Sequence, residues 1–427
     1  MTNPMSNLAE QVEPAAAPVD TGDVSEIRQI PRITIQAFCE NETIAQTIET
    51  ASRDRRMARA HVKVHMGGIP AAVELYASAP TPNLVVVESK LGPSEVLGDL
   101  ARLAEVCDGE TKVIVVGHHN DIALYRELTG HGVSDYLVAP IRMADVMGSI
   151  AKIFANPETG PIGRSFAFIG AKGGCGSSTI CHNVAWAIAS HFRNDVILAD
   201  LDLAFGTANI DLDQDPPQGI AEAVFSPDRI DDILLDRLLA TCAEHLSLLA
   251  APSTLERTYD FEKNAFNTVI DVALRGVPFV VTDVPHVWTS WSRQVLASAD
   301  QVVVTACPEL ANLRNTKNLI DTLKELRPND APPHLVMNQV GVPKRPEIPI
   351  AEFTGALGVD AATVIPFDPA LFGAAANNGQ MVGEADAKNP IAEKFDLLAQ
   401  ILTGKAELKA EKKSTFSLLS RFRRKTG

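Results

Sequence analysis

Apolar positions along this chain come in short runs, separated by stretches with helical spacing, and the pattern occurs twice. Between Ile33 and Phe154 the runs fall at residues 33–38, 61–65, 83–87, 112–116 and 135–138. Five strands joined by helices predict a small parallel sheet. Two Pro and two Gly within residues 156–163 then break the pattern with the composition of a linker. Beyond it, runs at residues 166–169, 196–199, 279–282, 302–305, 335–337 and 363–365 are apolar at nearly every position. Strands that read this way are covered on both faces, so a second, larger doubly wound sheet is expected. Residues 1–31, with Pro4, Pro14, Pro18 and several acids, read as a disordered leader. The expected organisation is therefore a leader (1–31), an α/β domain (32–155), a linker (156–164), a second α/β domain (165–403) and a basic tail (404–427).

Composition narrows the class. An apolar share of 46% with 21% charged residues is that of a soluble globular protein. The net charge of −15 argues against a general nucleic-acid binder, which needs a basic face. Charge is unevenly placed: Lys405, Lys409, Lys412, Lys413, Arg421, Arg423, Arg424 and Lys425 outnumber Glu407 and Glu411 at the C-terminal end. Phe416, Leu419 and Phe422 recur every third position among them, so a helix there would be basic, amphipathic and suited to anionic headgroups. The six cysteines form no CxxC pair and no zinc-spaced set with histidine. No apolar signal segment is found in the first thirty residues, and a cytosolic location is expected.

The chemistry lies at residues 171–179. Lys172, Gly173, Gly174, Cys175, Gly176, Ser177, Ser178 and Thr179 follow a strand and open a helix. The glycines let backbone N–H groups converge on a polyphosphate, and the helix N-terminus adds partial positive charge. Ser178 stands where the Mg²⁺-binding hydroxyl belongs. Two positions depart from the usual phosphate loop: Ala171 replaces its first Gly, and Ser177 its Lys. The buried strand at 279–282 ends in Asp283, the pattern that holds Mg²⁺ through water.

With Lys172 heading a Lys-Gly-Gly-x-Gly string, the segment resembles the deviant-Walker family of MinD- and ParA-like ATPases. That resemblance implies ATP and Mg²⁺ as cofactors and a homodimer in which Lys172 reaches the partner's nucleotide. It further assigns Asp202 to the attacking water, Asp200 to the metal with Ser178 and Asp283, Asn338 to adenine, and Pro366 and Asp368 to the segment beside the base. With Ser177 in place of the lysine, hydrolysis is expected to be slow, because one lost charge-stabilising donor costs about 3 kcal/mol elsewhere.

The first domain resembles a response-regulator receiver, on residues 82–88 and 132–140. Its phosphorylation chemistry is missing: Glu88, Cys39-Glu40, Gly117 and Ala139 stand where the acceptor Asp, the acid pair, the hydroxyl and the Lys belong. A pseudo-receiver followed by a deviant-Walker ATPase resembles the CpaE/TadZ family of Flp (Tad) pilus assembly proteins. The implied function is an ATP-binding positioning factor for pilus machinery, gripped through the pseudo-receiver, at the inner membrane or a cell pole. Competing readings are a ParA-like partitioning ATPase acting on DNA or another cargo, a phosphate-activating enzyme, and a scaffold that never binds nucleotide. Trp288 and Trp291 read as core or as a partner contact, His286 as a turn residue and Cys175 as a small filler.

Overall fold

The computed structural model describes residues 23–24, 27–155, 162–255 and 258–405. Most of the expected leader and linker, and the amphipathic tail from residue 406, lie outside the described residues. The chain divides into two compact units, Met1–Gly160 with Arg327–Ala331, and Pro161–Leu326 with Pro332–Gly427.

The first unit alternates strands and helices as β1 (Thr34–Cys39), α1 (Glu42–Ser52), β2 (His61–Met66), α2 (Gly68–Tyr76), β3 (Leu84–Ser89), α3 (Pro93–Val106), β4 (Lys112–Gly117), α4 (Ile122–Gly130), β5 (Asp135–Val138) and α5 (Met143–Ile153). All pairings are parallel, in the order β2-β1-β3-β4-β5. This is the receiver-like, flavodoxin-like arrangement. Central β3 is buried along its whole length, as its apolar run requires. Asn41 and Asp121 start α1 and α4 by accepting from the N–H groups of Thr43 and Ala123. The core reaches further N-terminal than the first strand, because Val24 and Ile30 are buried in it.

The second unit contains β6 (Arg164–Gly170), α6 (Ser177–Phe192), β7 (Val196–Asp200), α7 (Ala208–Asp211), α8 (Ile220–Phe225), α9 (Asp232–Leu238), β8 (Ala240–Ala243), β9 (Leu246–Leu249), α10 (Asn267–Gly276), β10 (Phe279–Val284), α11 (Ser290–Ser298), β11 (Gln301–Ala306), α12 (Leu310–Leu326), β12 (His334–Val340), α13 (Ile350–Leu357), β13 (Ala361–Pro366), α14 (Pro369–Asn377), α15 (Val382–Ala385) and α16 (Pro390–Thr403). Its strand order is β13-β12-β11-β6-β10-β7-β9-β8, parallel except at the β8 edge. Alternate side chains of β6 feed two separate cores. Phe166 and Phe168 join Ile180, Val184 and Ile188 of α6 and Phe395 and Leu398 of α16 on one face. Ala167 and Ile169 join Trp291, Val295 and Ile320 on the other. Burial on both faces explains why the run at 166–169 shows no polar alternation.

Candidate nucleotide site

The loop from Ala171 to Gly176 crosses from the C-terminal end of β6, at mid-sheet, to the first turn of α6, the place where open α/β sheets take ligands. Gly174 (φ 79°) and Gly176 (φ 86°) are left-handed, a conformation that side chains resist. A Cβ at Gly176 would also strike Asn338 Nδ2. The loop is braced from its carbonyl side by four side chains. His286 Nδ1 donates to Gly170 O at 2.8 Å, and Asn315 Nδ2 to Ala171 O at 2.9 Å. Gln339 Nε2 donates to Gly174 O at 2.9 Å, and Asn338 Nδ2 to Cys175 O at 2.8 Å. Cys175 itself is buried with its thiol on Thr305 O, and burial pushes that thiol up, as suits a filler and not a nucleophile.

A cavity of about 370 Å³ opens beside this loop, with Gly176 and Thr179 at one side and Pro366 and Asp368 at the other. Its size is that of a small-molecule site. Asn338, assigned to adenine by resemblance, lines it while bracing the loop. Asp368 lines it while capping α14 through Leu371 N. Thus Pro366, Asp368 and Asn338 meet Thr179 and Gly176 in one cavity. Lys172 is exposed on the outside, its Nζ 3.4 Å from Glu309 Oε2. Ser177 Oγ is buried and has no hydrogen-bond partner.

Three aspartates gather at the ends of β7 and β10. Asp200 is fully buried and accepts from the N–H groups of Asp202 and Ala208. Burial, and then the neighbouring Asp283 charge, push its carboxyl up to about 7. Gly206 is required beside it, because a Cβ there would enter the carboxylate. Asp202, also raised chiefly by burial, accepts from Phe205 N at 3.1 Å. Asp283 is 3% exposed, and its Oδ1 lacks any hydrogen-bond partner. His182 of α6, which sequence reasoning missed, lies fully buried among them. Its burial would lower its pKa, but Asp211 and Asp283 raise it to about 10. The available signal was a His-Asn pair on a helix otherwise buried by apolar residues.

Among the described residues, no group of three or more His, Cys, Asp or Glu side chains is placed to hold a metal ion. An orphaned Asp283 oxygen and the nearby Asp200 still supply hard oxygens, and Ser178 stands in the first turn of α6. They fit a hydrated Mg²⁺ that takes its other ligands from phosphates and water. When bound, such an ion would offset the charge of a polyphosphate.

In the first unit, Glu88 is buried at the end of β3. Its carboxylate accepts from Glu40 N (2.7 Å) and Asn41 N (2.8 Å) and meets His118 Nε2 at 2.9 Å. Tyr136 fills the space beside Gly117 and donates to His119 O. The two tryptophans divide: Trp291 is buried against Phe266, whereas Trp288 is 51% exposed. Among the described residues no helix is long and apolar enough to cross a membrane.

Comparison with known proteins agrees with this arrangement. The chain is similar to a ParA family ATPase from Chlorobium tepidum, at 25% identity over 55% of this chain and 98% of that one, with a TM-score of 0.51. It is similar in fold to the septum site-determining protein MinD of Pyrococcus horikoshii, solved with Mg-ADP, at 21% identity over 58% of this chain and 99% of that one, TM-score 0.51. A parallel sheet with a phosphate-type loop at its centre thus gives the second unit the fold of the ParA/MinD P-loop ATPases. The N-terminal part is similar to the pilus assembly protein CpaE of Caulobacter crescentus, with 50% identity over 30% of this chain and 98% of that one, TM-score 0.30. On that identity the chain belongs to the CpaE family of pilus assembly proteins. No family model and no curated protein matches it.

Proposed function

We propose that this chain is an ATP-binding assembly and positioning factor for Flp (Tad) pilus machinery. The observation that carries the reading is the braced loop opening on one cavity with Asn338, Pro366 and Asp368. In this reading Gly173, Gly174, Gly176, Ser177 and Ser178 cradle the phosphates of ATP, and Thr179 begins the cavity floor. Ser178, Asp200 and Asp283 hold Mg²⁺, and Asp202 orients the attacking water.

Lys172 serves the nucleotide of a second copy, so that ATP closes a homodimer. Its exposure and its weak ion pair with Glu309 support this, since an exposed pair contributes at most ~1 kcal/mol and is easily exchanged. Ser177, short and unpartnered, cannot deliver the charge of a lysine to the transferring phosphoryl, which supports slow hydrolysis. The first unit grips pilus components, and the basic tail holds the protein at the inner membrane or pole. The net charge of −15 argues against DNA as the partner.

Calorimetry of the full chain with ATP and Mg²⁺ is the test: saturable binding is expected, and its absence would overturn the reading. Light scattering with ATP should then show dimers that Lys172→Ala abolishes. Monomers hydrolysing ATP at ordinary rates despite that substitution would sink the dimer mechanism. For the tail, equal pelleting with anionic vesicles by the full chain and one ending at Gly404 would refute membrane attachment.

A further inference from the structure

Helix α6 is buried on nearly every side, so a polar side chain in it is costly unless its polar atoms are satisfied. His182 is 0% exposed. Its Nδ1 lies 2.8 Å from Asp211 Oδ2, a hydrogen bond across to α7. Its Nε2 lies 3.5 Å from Asp283 Oδ2, an ion-pair distance too long for a hydrogen bond. Both Nε2 of His182 and Oδ1 of Asp283 are buried without a hydrogen-bond partner. Two orphaned atoms, one able to donate and one able to accept, stand at the same carboxylate. Natural proteins leave such groups unpaired where a water or an ion completes them. Asp211, at the other end of the imidazole, lines the nucleotide cavity with Thr179 and Asn183.

We infer that His182 is a positioning residue: it orients Asp283 and a water of the hydrated cation through Nε2, and ties that acid to the cavity wall through Nδ1 and Asp211. The inference rests on the Mg-ATP reading given above and adds to it the element that couples cation binding to the occupied cavity. Outer-shell groups of this kind tune metal affinity through the orientation of the ligands they touch.

The two ring nitrogens can be tested separately. His182→Asn sets an amide near the Nδ1 position and vacates Nε2, whereas His182→Gln reaches toward Asp283 and vacates Nδ1. Full-length protein is titrated with MgCl₂ in the presence of a fluorescent ATP analogue, and the nucleotide alone is titrated in EDTA. His182→Asn is expected to raise the Mg²⁺ midpoint about tenfold or more, with affinity in EDTA little changed, because loss of an outer-shell partner costs roughly 10–100-fold in metal affinity. His182→Gln, which keeps a donor toward Asp283 and loses only the tie to Asp211, should raise the midpoint by a smaller factor. Wild-type midpoints in both variants, or equal losses in both with and without Mg²⁺, would overturn the positioning role.

Should either variant fail to fold, as read by thermal unfolding, Asp211→Asn replaces it. Its side chain is only partly buried (23% exposed) and the change keeps its shape. A folded Asp211→Asn protein is expected to show a raised Mg²⁺ midpoint, and an unchanged one would overturn the inference. Wild-type protein that binds no nucleotide would instead refute the Mg-ATP reading and this inference with it.

Discussion

Replacing Asn338 with alanine removes the donor that holds Cys175 O at 2.8 Å, at a residue only 7% exposed. Water has little access to the carbonyl left behind, so the loss is that of a buried unsatisfied acceptor, about 1–3 kcal/mol. If the brace preorganises the loop for phosphate, most of that loss appears in binding, and Kd rises about 5- to 150-fold, taking tenfold per 1.4 kcal/mol. Gln339 supplies the internal control. It makes the same kind of bond, to Gly174 O at 2.9 Å, from a more exposed position, where water can replace it. Gln339→Ala should therefore cost less than about 1 kcal/mol. Calorimetry with Mg-ATP on both variants, paired with thermal unfolding of the nucleotide-free proteins, separates loop preorganisation from general stability. Affinity within twofold of wild type for Asn338→Ala, or an equal loss for Gln339→Ala, would refute the reasoning.

Other parts of the molecule make sharp expectations too. Gly206→Ala pushes a Cβ against the Asp200 carboxylate and should lower stability in urea unfolding by about 1–3 kcal/mol. Trp291→Ala, which empties the space 4.7 Å from Phe266, should cost about 3–5 kcal/mol by the same measurement, while exposed Trp288→Ala should change stability little. Burial first, then the Arg164 charge, lower His334 to about 4. A depressed histidine stays neutral in the folded chain while the unfolded chain takes up a proton, so its contribution is intact above about pH 6.5 and lost as pH falls toward 4. His334→Phe should flatten that part of the stability profile, and an unchanged profile would contradict the assignment.

The strands that carry the site were readable because their geometry leaves a mark on composition. A strand covered on both faces must be apolar at successive positions, and β6, β10 and β11 are. The phosphate loop leaves an equally direct mark, since the positive φ at positions 174 and 176 calls for glycine at both. The edge pair β8–β9 left no such mark, since each strand has four residues and β8 is only partly buried. Nor could the sequence supply the partners of the loop carbonyls. Asn315 stands 144 residues from Ala171, and His286 stands 116 from Gly170. His182 was hidden for a related reason: the residues that give it meaning, Asp211 and Asp283, come from two other elements. Helical spacing left core and partner contact open for Trp288 and Trp291 alike, and packing gave the two opposite environments.

The carboxylate of Glu88 has already been spent. Two backbone N–H groups and an imidazole take up its oxygens, and Tyr136 occupies the ground beside Gly117 where a side chain on the fourth strand would stand. Glu88 is thereby a fixed brace that ties the end of the third strand to the turn leading into the first helix, a strut where a reactive group would need a free oxygen.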